Sequence, residues 1–198
     1  HKKLKDLAKI LGSVEGCQLP VLIGLAEVEN RKVLEDLSNT VPLSKVNYEA
    51  VHYNSPDKRG IDVALLYQPA LFEVLGSRSV PVHFPFDVES KVRDILYAKG
   101  VLAGTDTVHV FVNHWKSRAG GQQETEKKRI FSAKVLKELT DSVMTEEMHA
   151  KILIMGDFND EPTNASLDSL LNAGFPGKND QDHQLVNLMY PMDAKGLG

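Results

Sequence analysis

Three apolar runs in this sequence each end in groups able to handle a proton, a metal ion or an anion. "VLIGLAEVEN" runs out at Glu27, "TVHVFVNHW" at Asn113 and His114, and "KILIMGDFND" at Asp157 and then Asn159. Carboxylate oxygens suit a hard cation such as Mg²⁺ (or Mn²⁺), which keeps several of its waters and takes only one or two protein carboxylates directly. A second carboxylate can orient and activate water, and an imidazole beside it can donate to the oxygens of a phosphoryl group. If the three ends converge, the set suits hydrolysis of a phosphoester by activated water. Zinc fits poorly, because Cys17 and the scattered histidines form no ligand cluster.

Each residue also has a plainer reading. Asp157 after Gly156 can be a turn residue whose side chain bonds the backbone. Glu27 can mark the exit of a strand into "NRKVLEDL", with Asn30 as the cap of the helix that follows. His114 can be a satisfied core histidine, and Arg59 in "SPDKRG" a solvated turn residue. Spacing does not separate these readings from the chemical ones.

The elements that must position these groups alternate along the chain. "KKLKDLAKILGSV" sets Leu4, Leu7, Ala8 and Leu11 at helical spacing, with Gly12 as a stop. "LPVLIGLAEV" reads as a strand buried on both faces, and "NRKVLEDLSNTV" as a helix with Val33, Leu34 and Leu37 on one side. "VNYEAVHYN" and "IDVALLYQ", separated by turn residues, read as a hairpin. Further strands are expected in "LFEVLGSRSVPVHF", "VRDILYAKGVLAG", "TDTVHVFVNHW" and "KILIMGD", the last again buried. The longest helical pattern begins at "QQETEKKRIF", with Ile130, Ala133, Val135, Leu136 and Leu139 as its apolar stripe. "NASLDSLLNAG" reads as a short helix closed by Gly174. Strands joined by hairpins and interrupted by three or four helices imply an α/β sandwich.

The chain has 198 residues, 42% apolar and 25% charged, as expected of one soluble globular domain. Its single cysteine, Cys17, excludes an intrachain disulfide. No apolar run reaches the roughly 20 residues that cross a bilayer, no protein partner is indicated, and the compartment is undetermined. A net charge of −4 argues against binding nucleic acid by bulk electrostatics. The distribution is uneven: Lys116, Arg118, Lys127, Lys128, Arg129 and Lys134 face only Glu124 and Glu126 in that stretch. Such a region fits either an anionic ligand or a solvated helix face.

"GLAEVEN", "RGIDVALLY", "VNHWKSR" and "GDFNDEP", in that order, resemble the endonuclease/exonuclease/phosphatase superfamily of metal-dependent phosphoesterases. The resemblance runs from about Val21 to Pro162. It implies a four-layer α/β/β/α sandwich of two mostly antiparallel sheets, formed by residues 1–198 as one domain. It implies that Glu27 ligates Mg²⁺ or Mn²⁺, that Asp157 and Asn159 position and activate the water, and that His114 stabilises charge on the phosphate. Arg59 and Asn113 are expected to contact substrate. The expected function is a phosphodiesterase or nuclease, with DNA or RNA as possible substrates. The alternatives are a phosphomonoesterase on inositol phosphates or lipid headgroups, or a binding module that kept the fold. The family's first metal-binding asparagine and its closing Ser-Asp-His segment are not found. Asp182-His183 in "DQDHQ" follows no strand and is not assigned that role, so the domain is expected to be incomplete and weak or inactive alone.

Overall fold

The computed structural model describes residues 2–13, 18–175 and 185–196. Cys17 and the Asp182-His183 pair lie outside the described residues. Helix α1 (Lys2–Gly12) leads to β1 (Leu22–Val28), α2 (Arg31–Ser38), β2 (Glu49–His52) and β3 (Asp62–Tyr67). Strands β4 (Phe72–Val80), β5 (Ile95–Leu102) and β6 (Asp106–His114) precede the long helix α3 (Gln122–Glu146) and β7 (Lys151–Asp157). Short β8 (Ala173–Gly174), β9 (Leu185–Val186) and α4 (Tyr190–Asp193) complete the described elements.

The residues fall into two compact units. One comprises His1–Pro81, Lys91–His114 and Lys151–Gly156; the other comprises Val82–Ser90, Trp115–Ala150 and Asp157–Gly198. The first unit holds two sheets, of strand order β1-β3-β2 and β4-β5-β6-β7. The pairs β1–β3, β2–β3, β4–β5 and β5–β6 are all antiparallel. The facing sides of the two sheets share one core: Val51, Val63 and Leu65 pack with Phe72, Leu96, Val110 and Val112. On the other side of the first sheet, Ala8, Leu34 and Leu37 from the helices cover Ile23, Ala64 and Leu66. The result is an α/β sandwich of two mostly antiparallel sheets, as the sequence implies. The expected hairpin is β2–β3, with Val51 opposite Leu65. Asn30 does cap α2, its Oδ1 accepting from the Val33 N–H at 3.1 Å.

Three expectations need correction. Strand β7 is not buried: it stands at the edge of its sheet among the described strands, its residues are half-buried or exposed, and Leu153 is 37% exposed. Strand β1, also an edge strand among the described ones, does pack on both faces, with Leu22 against the core between the sheets and Ile23 and Leu25 against the helices. In that sheet the strand with a neighbour on each side is β3, every residue of which is buried. Secondly, the buried face of α3 coincides with the apolar stripe only at Ala133 and Leu136. It consists of Thr125, Arg129, Ser132, Ala133, Leu136 and Thr140, while Ile130, Val135 and Leu139 are half-buried. That rotation follows from a buried ion pair at Arg129, described below. Thirdly, "NASLDSLLNAG" makes only a π-helical turn at Ser166–Leu170; Asn172 takes the left-handed conformation (φ 55°), and Gly174 belongs to β8.

Candidate active site

Pairing with β3 fixes the local geometry of Glu27. Leu25 lies opposite Ala64 and Val28 opposite Asp62, so three steps along β1 match two along β3. The extra residue forms a bulge, a device that re-aims a side chain at a strand's end. Glu27 takes φ 58° there, a left-handed conformation costing a non-glycine residue roughly 1–2 kcal/mol. Its side chain is 63% exposed and lies 3.6 Å from the Arg59 guanidinium.

The 53–61 loop that carries Arg59 is held by two carboxylates. Asp62 Oδ1 accepts from both the N–H and the hydroxyl of Ser55, each at 2.8 Å, and its Oδ2 lies 2.9 Å from His52 Nε2. Asp57 Oδ1 accepts the Arg59 N–H at 2.9 Å, and its Oδ2 accepts from Arg93 Nη1 at 2.9 Å. Burial pushes the Asp57 carboxyl up, but the Arg93 hydrogen bond, the Arg59 N–H and the two guanidinium charges outweigh it. The net effect is a carboxyl below the usual carboxylate range.

At the end of β6, Asn113 and His114 are both buried. The Asn113 amide donates to the Met155 carbonyl at 3.5 Å, and the His114 carbonyl accepts from Arg93 Nε at 3.1 Å. Gly156 has φ 130°, and a Cβ there would stand 2.0 Å from the Asn113 carbonyl oxygen. Only glycine permits so close an approach of the two backbones.

In the second unit, the segment from Asp157 is a tightly bonded loop. Asp157 Oδ1 accepts the N–H of Asn159 at 2.9 Å, so the turn reading of Asp157 is realised as well. The Asp157 carbonyl accepts from the Trp115 N–H at 2.9 Å, and the Asn159 amide returns to the Trp115 carbonyl at 3.2 Å. Asn159 is left-handed too, at φ 52°. Arg118 then ties the loop together: Nε donates to the Asn159 carbonyl at 2.9 Å, Nη1 to Glu161 at 3.1 Å and Nη2 to Asn164 at 2.8 Å. Asp160 is enclosed, accepting from Arg129 Nε at 2.6 Å, Arg118 Nη2 at 3.4 Å and the Ser166 hydroxyl at 2.6 Å.

These contacts resolve the basic stretch after β6. Arg129 is fully buried on Asp160, Thr125 and the Gln122 carbonyl. Lys128 lies 2.6 Å from Asp87 and donates to Ser90. Most of the positive charge therefore answers carboxylates within the unit. Trp115 is 2% exposed and packs edge-on against Phe158, so it offers no open face for stacking a base.

The sequence reading missed Asp57, Asp62, Arg93 and Asp160, all of which hold the expected site residues in place. Two of them sit inside motifs already singled out, "SPDKRG" and "GDFNDEP". Their partners, however, are distant in the chain.

Among the described residues, no three His, Cys, Asp or Glu side chains gather into a metal cage. A lone exposed carboxylate such as Glu27 nevertheless fits a hydrated hard cation, which needs one or two carboxylates and completes its shell with water. It does not fit a zinc centre. No helix of the described residues is long and apolar enough to cross a membrane.

A model of the Endonuclease/Exonuclease/phosphatase family matches residues 1–198. Among solved structures, the human Nocturnin catalytic domain superposes with a TM-score of 0.64 at 19% identity, covering 85% of this chain and 61% of its own. Truncated Caenorhabditis elegans TDP2 gives 0.60 at 18% identity, covering 81% and 56%. A Bacteroides thetaiotaomicron mannosyl-6-phosphatase gives 0.63 at 16% identity, covering 86% and 61%. At such identities the likeness establishes the fold. The chain spans less than two thirds of each of these structures' own length. No curated protein sequence matches it.

Proposed function

The chain belongs to the endonuclease/exonuclease/phosphatase family, and from that premise we propose that it hydrolyses phosphoester bonds by in-line attack of an activated water. The donor set suits Mg²⁺ or Mn²⁺ on Glu27, which when bound supplies charge neutralisation at the phosphoryl oxygens. Asp157 takes the proton of the attacking water and Asn159 orients that water. His114 donates to the phosphoryl oxygens as charge develops, and Arg59 binds them from the 53–61 loop. Asn113 has no exposed surface, and its role is to hold Met155 and thereby the end of β7.

The observation that carries this reading is the strained backbone at Glu27, which is left-handed in the β1 bulge, a conformation that asparagine, as at Asn159, adopts far more readily than glutamate. Strain of this kind clusters at functional sites. The bulge aims the carboxylate in a direction that an unbulged strand would not.

Of the finer readings, a small phosphorylated substrate is favoured over nucleic acid. The nuclease reading needs the basic stretch after β6 free to meet a phosphate backbone. Arg118, Lys128 and Arg129 are engaged by Asp160, Glu161 and Asp87, and Trp115 is enclosed. One of the solved structures of this fold is described as a mannosyl-6-phosphatase, a phosphomonoester hydrolase. The test compares the intact protein with its Asp157→Ala variant on 4-nitrophenyl phosphate, on its bis-ester and on plasmid DNA, with Mg²⁺ or Mn²⁺. The expected result is metal-dependent turnover, fastest on the monoester, reduced about 10²–10⁴-fold in the variant. Turnover of DNA ahead of the small esters would reverse the substrate preference. Binding of metal and phosphate without any turnover would make the protein a binding module instead.

A further inference from the structure

Within the first unit, an unbroken line of polar contacts runs from the Glu27 carboxylate to the end of β6. Glu27 Oε1 lies 3.6 Å from Arg59 Nη1, and Arg59 Nε lies 3.6 Å from Asp57 Oδ1. The same Asp57 oxygen holds the Arg59 N–H at 2.9 Å, so backbone and side chain of Arg59 answer to one carboxylate. The other Asp57 oxygen takes Arg93 Nη1 at 2.9 Å, and Arg93 Nε takes the His114 carbonyl at 3.1 Å.

The exposures along this line are uneven. The side chains of Asp57 and Arg93 are 5% and 3% exposed, whereas that of Arg59 is 55% exposed. A buried ion pair is weak support for a fold, since an apolar pair of similar volume often does as well or better. What this pair does provide is direction. Each Asp57 oxygen faces a different arginine, and Arg93 joins the loop to a strand end through two nitrogens set at a fixed angle. An exposed arginine otherwise spreads over many rotamers, and fixing it before a ligand arrives lowers the entropy lost on binding.

We propose that Asp57 and Arg93 are positioning residues of the phosphoester site. Asp57 aims the Arg59 guanidinium at the non-bridging oxygens of a phosphomonoester, and Arg93 ties the loop bearing that guanidinium to the strand end bearing His114. The inference rests on the phosphoesterase reading for its substrate, but its geometry stands on contacts within one compact unit.

The test is a double-mutant cycle on the intact protein with Arg59→Gln, Asp57→Asn and the pair. It is read as the dissociation constant of inorganic phosphate in the presence of Mn²⁺, as KM and kcat on 4-nitrophenyl phosphate, and as the melting temperature. Arg59→Gln should weaken phosphate about 10- to 100-fold, the worth of a charge-assisted hydrogen bond. Asp57→Asn should lose a large part of the same factor, appearing in KM. The double variant should be no weaker than Arg59→Gln alone, because an aimed group and its aimer fail together. Losses that multiply would overturn the proposal and leave Asp57 as a stabiliser of the fold. Where Asp57→Asn does not fold, Asp57→Glu keeps the charge but shifts it by one methylene. It should melt near wild type yet bind phosphate more weakly, and unchanged affinity would overturn the proposal. Arg93→Lys should couple to Arg59→Gln in the same sense, and independence would remove Arg93 from it. Phosphate binding without turnover in the wild type would refute the hydrolase reading while leaving the cycle readable. A wild type that binds no phosphate would sink both.

Discussion

Replacing Asp160 by asparagine removes one charge from a nearly isosteric side chain, and the structure sets what that should cost. Asp160 is 2% exposed and Arg129 0% exposed in their side chains, with 2.6 Å between Nε and Oδ1. Arg129 keeps two neutral acceptors, the Thr125 hydroxyl at 2.7 Å and the Gln122 carbonyl at 3.1 Å, but among the described residues no carboxylate other than Asp160 balances it. Removing one partner of such a buried pair costs about 3–5 kcal/mol, because the remaining charge stays out of water. That is a large fraction of the roughly 5–15 kcal/mol that holds a domain folded. For a chain of this length it corresponds to a fall of roughly 6–20 °C in Tm. Urea unfolding followed by circular dichroism would measure it, with Lys134→Ala as the exposed control. Lys134 and Glu138 are 3.9 Å apart and both largely exposed, so that variant should stay within about 0.5 kcal/mol of wild type. Added salt should shrink the control's effect and leave that of Asp160→Asn largely intact. A loss below about 1 kcal/mol for Asp160→Asn would refute the reasoning, since it would make the enclosed pair equivalent to a surface one.

Two further outcomes follow from the geometry. Gly156→Ala should destabilise by at least about 1–3 kcal/mol, because its Cβ would meet the Asn113 backbone at 2.0–2.8 Å and one backbone would have to shift. Gly60→Ala, at φ 64° in open space, separates clash from conformational strain and should lose only the smaller, conformational part in the same denaturation assay. The second outcome concerns acid. The Asp57 carboxyl is held below its unfolded value of about 4, so its contribution is present above that pH and is lost as pH falls through the folded pKa. Acid unfolding below about pH 4 should therefore be steeper for wild type than for Asp57→Asn; parallel curves would show that the carboxyl is not depressed.

Local rules made much of this fold legible. The spacing of Leu4, Leu7, Ala8 and Leu11 marks α1, Asn30 before a helical stretch marks its cap, and turn chemistry between "VNYEAVHYN" and "IDVALLYQ" marks a hairpin. These signals sit within a few residues of the structure they dictate. The polar groups at the strand ends were equally readable, because an apolar run that stops at a carboxylate does so in the sequence itself. What stayed hidden depends on distant partners. Arg129 reads as one more basic residue on a helix face until Asp160, 31 residues away, is seen to bury it. Asp57 and Arg93 are 36 residues apart, and Arg118 bonds groups 41 to 46 residues ahead of it. That the apolar run of β7 is left half-buried at a sheet edge is decided by sheet order, which five residues in a row do not encode. The bulge at Glu27 is likewise a property of register against β3, and "GLAEVEN" carries no glycine at the position that needs a left-handed residue.

That bulge bears on how the protein would respond to engineering. A redesign scored on backbone preference alone would replace Glu27 with glycine, which adopts φ 58° without penalty. A library selected only for heat resistance would be drawn the same way, recovering roughly 1–2 kcal/mol per chain while discarding the carboxylate. On the metal-binding role proposed for Glu27, stability and chemistry pull this single residue in opposite directions. Thermostabilisation of the fold should therefore hold position 27 fixed and seek its gains at exposed positions remote from the strand ends.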